Sequence, residues 1–169
     1  IKGVIPGGVL MDPYFGTNFE SVDGYYTGFD KGMPDDSPFR VPWWYRTQFQ
    51  LPADLEGKNF WLNLHSINYR ANIWINGKLV ADTTEIEGAY RLFDLNITEY
   101  INQGADNCLA LEIFPPKGMD LTITWVDWNP TPPDRAMGIW YDVFIQAIGP
   151  VAIKNPHVVT DLDVASTDV

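Results

Sequence analysis

The tightest constraint on this chain is a short run, ANIWINGKLVAD at residues 71–82, in which Asn76-Gly77 separates two apolar stretches. Asn-Gly supplies the two positive φ angles that a type I′ turn demands, and the twist of that turn matches the strands it joins. The run therefore predicts a β-hairpin. The same period of two recurs along the chain. From Trp43 the residues Trp43, Tyr45, Thr47 and Phe49 alternate with Trp44, Arg46, Gln48 and Gln50. Phe60, Leu62 and Leu64 alternate with Trp61, Asn63 and His65, and Leu109, Leu111 and Ile113 share one face of CLALEIF. Alternation of this kind marks a half-buried strand.

YRLFDLNI, DLTITWVDW and GIWYDVFIQAI read as further strands, the last two separated by the Pro-rich NPTPPDRAM. LPADLEGK reads as a turn, and TEYINQGADN as a turn or short helix. No stretch after residue 40 carries a long helical stripe. About eight strands at roughly ten-residue spacing predict an all-β fold, an antiparallel β-sandwich or jelly roll. The 14 Gly, 13 Pro and 24 aromatic residues of the 169 agree with many short strands and tight turns. Residues 1–40 show no sustained period and read as a long irregular lead-in. Gly149-Pro150 punctuates a boundary, so we expect one domain over 1–150. Residues 151–169 alternate like the first strand of a second β domain. The chain begins at Ile1 and stops within that pattern, which suggests a piece of a longer protein.

Composition removes several functions. With 11 Lys and Arg against 22 Asp and Glu, the net charge is −11. A nucleic-acid binder needs a basic footprint to displace counterions, and an anionic membrane surface is disfavoured for the same reason. No run of 18 apolar residues is present to span a bilayer. A single Cys, Cys108, excludes an internal disulfide and a Cys-based metal cluster. His65 and His157 lie far apart without a nucleophile elbow, so they read as surface or locally hydrogen-bonded residues rather than as part of a triad. No His, Cys and carboxylate ligands cluster as a transition metal requires. Asp35-Asp36, between prolines, reads as a solvated loop in preference to a Ca²⁺ site, and no cofactor is expected. Gly7-Gly8 extends to no phosphate-binding loop. Asn96-Ile97-Thr98 fits a glycosylation triplet but reads as a turn.

Glycoside hydrolysis needs two carboxylates flanking the scissile bond. The six Glu, at 20, 56, 85, 87, 99 and 112, fall in apparent turns or at strand edges, and nothing distinguishes a pair. The segment Trp125-Val126-Asp127-Trp128-Asn129-Pro130, followed by Thr131-Pro132-Pro133-Asp134, is different. Sugar rings stack their C–H faces on Trp, and sugar hydroxyls bond to Asp and to amides. Prolines pre-order such a loop and lower the entropy cost of holding those groups. On spacing alone the competing reading stands, in which the Trp residues fill the core and Asp127 caps a turn.

Several motifs, in this order, resemble one family. They are VIPGGVLMDPYFGTNFESV, WWYRTQFQLP, LNLHSINYRANIWINGKLVAD, YRLFDLNITEYINQGADNCLALEIF and GIWYDVFI. Together they resemble the N-terminal sugar-binding domain of glycoside hydrolase family 2, a galactose-binding-like jelly roll. IKNPHVVTDLDVAS resembles the opening of the immunoglobulin-like domain that follows it. WVDWNPTPPDRAMGIW is similar to a loop of the β-mannosidase and exo-β-glucosaminidase branch, in which a W-D-W-G-P type motif reaches the active site of the neighbouring barrel. Asp127, Trp128 and Pro130 match that motif. Val126 stands where the β-mannosidases carry the first Trp, and Asn129 replaces the Gly, departures that lean toward the glucosaminidase side.

The resemblance implies an accessory domain of a retaining β-glycosidase, with Asp127, Trp128 and Asn129 as substrate-binding residues. No catalytic residue would lie in this chain, because the glutamate pair sits on a (β/α)₈ barrel. The implied partners are a saccharide substrate and the immunoglobulin-like and barrel domains of the same parent chain. An exported location, periplasmic or extracellular, would suit such an enzyme. An independent carbohydrate-binding module and a purely structural spacer are the alternatives.

Overall fold

The computed structural model describes residues 38–123 and 135–161. Nine strands occur among them: β1 (Trp43–Phe49), β2 (Asn59–His65), β3 (Ile67–Asn68), β4 (Arg70–Ile75), β5 (Lys78–Ala81), β6 (Leu92–Asn96), β7 (Asn107–Phe114), β8 (Gly138–Ile139) and β9 (Val143–Ile148). The described residues contain no α-helix, only 3₁₀ turns at Pro38–Arg40, Ala53–Leu55 and Thr98–Tyr100. Among the described residues no helix is long and apolar enough to cross a membrane. The expected all-β antiparallel sandwich is the observed fold.

One sheet has the order β1-β7-β4-β5, a second β6-β2-β9, and β3 pairs with β8 in a short ribbon. Every pairing is antiparallel. The period-two pattern sets the register. Tyr45 faces Leu111 and Thr47 faces Leu109 across β1 and β7, while Ile73 faces Leu111 across β4 and β7. Ala71, Ile73, Ile75, Leu109, Leu111 and Ile113 thus turn inward from one sheet. Phe60, Leu62, Leu64, Phe93 and Val143 meet them from the other, and all belong to one buried cluster. Each Val, Leu, Ile or Phe among them contributes about 1.5–3 kcal/mol by leaving water.

The hairpin forms where Asn76-Gly77 predicts it, with φ of 51° at Asn76 and 79° at Gly77. Its Asn is also a structural tie. Asn76 Nδ2 donates to the Tyr100 carbonyl and to Asn107 Oδ1, each at 2.8 Å, and Asn76 Oδ1 accepts from the Cys108 amide at 2.8 Å. Asn107, almost fully buried, accepts from the Asn102 amide and donates to the Asn102 and Ala105 carbonyls, closing the 102–107 turn. The Asn96 triplet ends β6 and leads into the 3₁₀ turn that Thr98 opens. Asn96 Oδ1 accepts from the Thr98 amide and hydroxyl.

Two strand expectations need correction. DLTITWVDW carries no strand over residues 120–123, and its remainder lies outside the described residues. The side chains of Asp120 and Thr122 are engaged by Arg70 and Asn68, so this stretch is held by side-chain bonds and not by a ladder. GIWYDVFIQAI is two strands, because the chain leaves β8 and crosses to the second sheet through Trp140–Asp142. The Trp140 amide donates to the Ser66 carbonyl, and the Asp142 carbonyl accepts from the His65 amide.

After β9, residues 151–161 form no strand and are exposed. Lys154 nevertheless rests on the outer face of β2, 3.9 Å from the centre of the Trp61 ring, with its ammonium 3.3 Å from Asp94 on β6.

Candidate functional site

The segment singled out by its Trp, Asp and Pro content runs from Trp125 to Asp134. Asp127, Trp128 and Asn129 all lie outside the described residues, as do Asp35 and Asp36. What the structure does describe is the root on either side of it, up to residue 123 and from residue 135 on.

Asn68 organises that root. It sits on β3, fully buried. A buried amide must find partners for both its donors and its acceptor, since an orphaned polar group in the interior costs about 1–3 kcal/mol. Asn68 finds them on both sides of the loop. Its Oδ1 accepts from the Thr122 hydroxyl on the outgoing side. Its Nδ2 donates to the Arg135 carbonyl at 3.2 Å and to the Ala136 carbonyl at 2.8 Å on the returning side.

The returning side is strained. Arg135 and Ala136 have φ of 51° and 55°, consecutive non-glycine residues in the left-handed region. Each costs about 1–2 kcal/mol relative to ordinary backbone, and such residues persist only where the surroundings over-determine them. Two residues on, Gly138 has φ of 147°, and a Cβ there would lie 2.6 Å from the Tyr45 hydroxyl. The positive φ favours glycine there, and a Cβ would press on the tip of the Tyr45 side chain. Ala136, Met137, Gly138 and Ile139 are all buried, which seats the returning strand firmly in the core.

A second tie lies two residues along from the first. Arg70 opens β4, and its guanidinium makes a two-pronged ion pair with Asp120, both contacts at 2.6 Å. Its Nε also donates to Glu87 at 2.8 Å. The Asp120 side chain is only 7% exposed, so this pair is shielded from water and worth more than a surface bridge. The Arg70 hydrogen bonds hold the Asp120 carboxyl below its usual range, aided by the Lys117 amide and opposed by burial. Asp120 in turn raises the guanidinium further above its already high value. The segment leading into the loop is thus fixed at both Asp120 and Thr122.

A row of rings flanks the returning side. Trp140 donates its indole N–H to the Ala89 carbonyl and meets Tyr90 and Tyr141 edge-on. His65 packs against Tyr141 and, edge to face, Phe144. His65 is half-buried among these rings, and His157 is exposed. Of the carboxylates weighed as catalytic candidates, Glu87 is taken up by Arg70, and Glu112 accepts from Asn72 at 2.8 Å. Among the described residues no three His, Cys, Asp or Glu side chains converge as metal ligands would.

Sequence reading missed Asn68, Arg70, Asp120 and Thr122. The available signal was polar residues in the middle of SINYR, where the alternation on either side leads one to expect apolar or exposed positions.

A family model described as the glycosyl hydrolase 2 galactose-binding domain-like family matches residues 36–121. The chain is 34% identical to the exo-beta-D-glucosaminidase of Streptomyces avermitilis over 167 residues, covering 98% of this chain and 17% of that protein. It is 34% identical to the enzyme of the same name from Amycolatopsis orientalis, covering 96% of this chain and 14% of that protein. A mannosylglycoprotein endo-beta-mannosidase of Lilium longiflorum is 27% identical, covering 95% of this chain and 19% of that protein. Among solved structures, the Amycolatopsis orientalis exo-chitosanase CsxA superposes with a TM-score of 0.76 at 30% identity, covering 96% of this chain and 18% of that one. The chain thus spans less than a fifth of the length of each of these proteins.

Proposed function

We propose, from the premise that this chain belongs to the galactose-binding-like domains of glycosyl hydrolase family 2, that it serves a longer β-glycosidase as a saccharide-binding accessory domain. The parent activity is hydrolysis of an O-glycosyl bond of the exo-β-glucosaminidase type, with a β-mannosidase-like activity as the alternative. On this reading residues 1–150 form the accessory domain, and 151–169 open an immunoglobulin-like domain. A (β/α)₈ barrel elsewhere in the parent chain carries both catalytic glutamates. The loop from Trp125 to Asp134 enters the barrel's pocket, where Asp127 accepts hydrogen bonds from sugar hydroxyls, Trp128 walls the terminal ring and Asn129 adds an amide. The net charge of −11 favours a cationic amino sugar over a neutral one. An exported location, periplasmic or extracellular, belongs to the same proposal.

The observation that carries the reading is the double tie at the loop's root. A loop that merely joined two strands would need no buried amide bonded to both of its ends and no shielded ion pair one step before. Groups that must meet a substrate do need such support, because small displacements of positioning groups cost rate.

The test is Asp127→Ala in the full-length enzyme. Loss of a charged hydrogen-bond acceptor is worth about 1.5–3 kcal/mol, so kcat/KM for a nitrophenyl β-D-glucosaminide should fall roughly 10- to 100-fold, with an unchanged melting temperature. Unchanged kinetics would remove Asp127 from the pocket and leave the structural-spacer reading.

A further inference from the structure

We infer that the outer face of the β6-β2-β9 sheet is an interdomain seat, and that its occupant is the domain the chain enters after Gly149-Pro150. The contact of Lys154 with Trp61 and Asp94 is where that seat begins. This rests on one part of the reading above, that the chain opens a second β domain after residue 150.

The first observation is the path of the chain. β9 ends at Ile148, which pairs with Asn59 at the start of β2, and β6 lies on the opposite side of β2 from β9. A free linker would leave from the β9 edge. Instead Lys154 stands 3.9 Å over the centre of the Trp61 ring and reaches Asp94 of β6 at 3.3 Å. The chain has therefore turned back and recrossed β2 on its outer face. One ammonium is held over a ring and beside a carboxylate at once, so two weak surface contacts act on the same side chain. The polypeptide that follows starts from this face, at an effective concentration of about millimolar for a short tether. That favours it as the occupant over a second copy or a free partner.

The second observation is the chemistry of the face. Outward side chains alternate with core ones along β2, β6 and β9. Among the outward ones Asp94 is the only Asp, Glu, Lys or Arg, in a chain with 22 acidic and 11 basic residues, and Lys154 pairs with it. Beyond Asp94 the face turns apolar. Leu92 is 67% exposed, Tyr141 56% and Phe144 42%. His65 pairs with Leu92 across the strands, and its ring packs edge to face on Phe144 and tilted against Tyr141. The rings brace one another, so little side-chain freedom is lost when they are covered. Exposed apolar and aromatic groups with few charges among them mark the core of an interface.

The third observation is the exit segment. Val151, Ile153, Val158 and Val159 are each more than three-quarters exposed. An apolar strap clipped to an apolar, nearly uncharged face is half of a contact. The folded body that the strap leads into supplies the other half.

The test is hydroxyl-radical footprinting of the full-length enzyme without saccharide. Leu92, Tyr141 and Phe144 should be labelled at least tenfold more slowly in the native enzyme than in the same enzyme unfolded in urea, and hundredfold dilution should leave that protection unchanged. Phe144→Lys, which changes a side chain at the surface of this domain, should speed the labelling of Leu92 and Tyr141 in folded enzyme. A photo-cross-linker, Phe144→p-benzoylphenylalanine, should join to a peptide of the same chain within roughly 100 residues after residue 161, about one domain's length. Labelling slowed less than tenfold would overturn the inference, as would unchanged labelling in folded Phe144→Lys. Protection lost on dilution would identify a second copy and overturn it too, and so would a cross-link found only elsewhere in the chain or on another molecule. If Phe144→Lys does not fold, the wild-type footprint and the cross-link decide alone. Activity toward a nitrophenyl β-D-glucosaminide, read on the same preparation, keeps the two proposals apart. An inactive enzyme with this face covered defeats the glycosidase reading and leaves the seat standing; an active enzyme with the face open does the reverse.

Discussion

Replacing Asn76 separates two contributions that the hairpin combines in one residue. Its backbone has φ of 51°, a conformation that costs an ordinary L-residue about 1–2 kcal/mol. Its side chain makes three hydrogen bonds, to the Tyr100 carbonyl, Asn107 Oδ1 and the Cys108 amide. At a net of about 0.5–1.5 kcal/mol each, these sum to about 1.5–4.5 kcal/mol. Asn76→Gly keeps the turn accessible but loses the bonds, so urea unfolding should show a loss of about 1.5–4.5 kcal/mol. Asn76→Ala loses both and should be less stable than the Gly variant by a further 1–2 kcal/mol or so. The ordering wild type, Gly, Ala is the essential result. A Gly variant as stable as wild type would show that the side-chain bonds contribute nothing. An Ala variant equal to Gly would show that the turned-over backbone carries no penalty here.

Two further outcomes follow from the core and from Arg70. Leu111 is fully buried between both sheets, so Leu111→Ala should destabilise by about 2–5 kcal/mol in the same unfolding assay; a loss under 1 kcal/mol would mean the core repacks around the gap. Asp120 has its folded-state pKa lowered, chiefly by Arg70, so its contribution is complete above the unfolded value of about 3.9 and disappears as pH falls through the lower folded value. Asp120→Asn should therefore cost about 1.5–3 kcal/mol at pH 7 and progressively less below pH 4, read from urea midpoints across pH; a penalty independent of pH would contradict the ion pair.

The strands were legible because one face of each is buried, and burial writes a period of two into the residues. Trp43 through Phe49 and Asn107 through Phe114 show this plainly. Asn76-Gly77 was legible because few residue pairs tolerate two positive φ angles. Residues 120–123 were misread for the same physical reason that the others succeeded: Leu121 and Ile123 alternate with polar neighbours, as in a strand. Leu121 is 83% exposed, however, and the polar neighbours Asp120 and Thr122 are the residues that are held. Alternation reports which side chains differ in polarity, not which of them is inside. Asn68 was illegible because its partners, at 122, 135 and 136, are remote in sequence and two of them are backbone carbonyls, which every residue possesses.

The strand order also sets a schedule for folding. β4 and β5 are neighbours in sequence and in space, so their hairpin can close within microseconds. β2 gains its partner on the β9 side only when residues 143–148 reach residues 59–64. Such distant pairing is slow, because loop-closure entropy comes before any contact rewards it. During synthesis β2 therefore waits with one row of amides and carbonyls unpaired until Val143–Ile148 clears the ribosome. In that interval the nascent chain offers an open strand edge of the kind that invites a second molecule, and the segment that seals it is the last of the nine strands to be made.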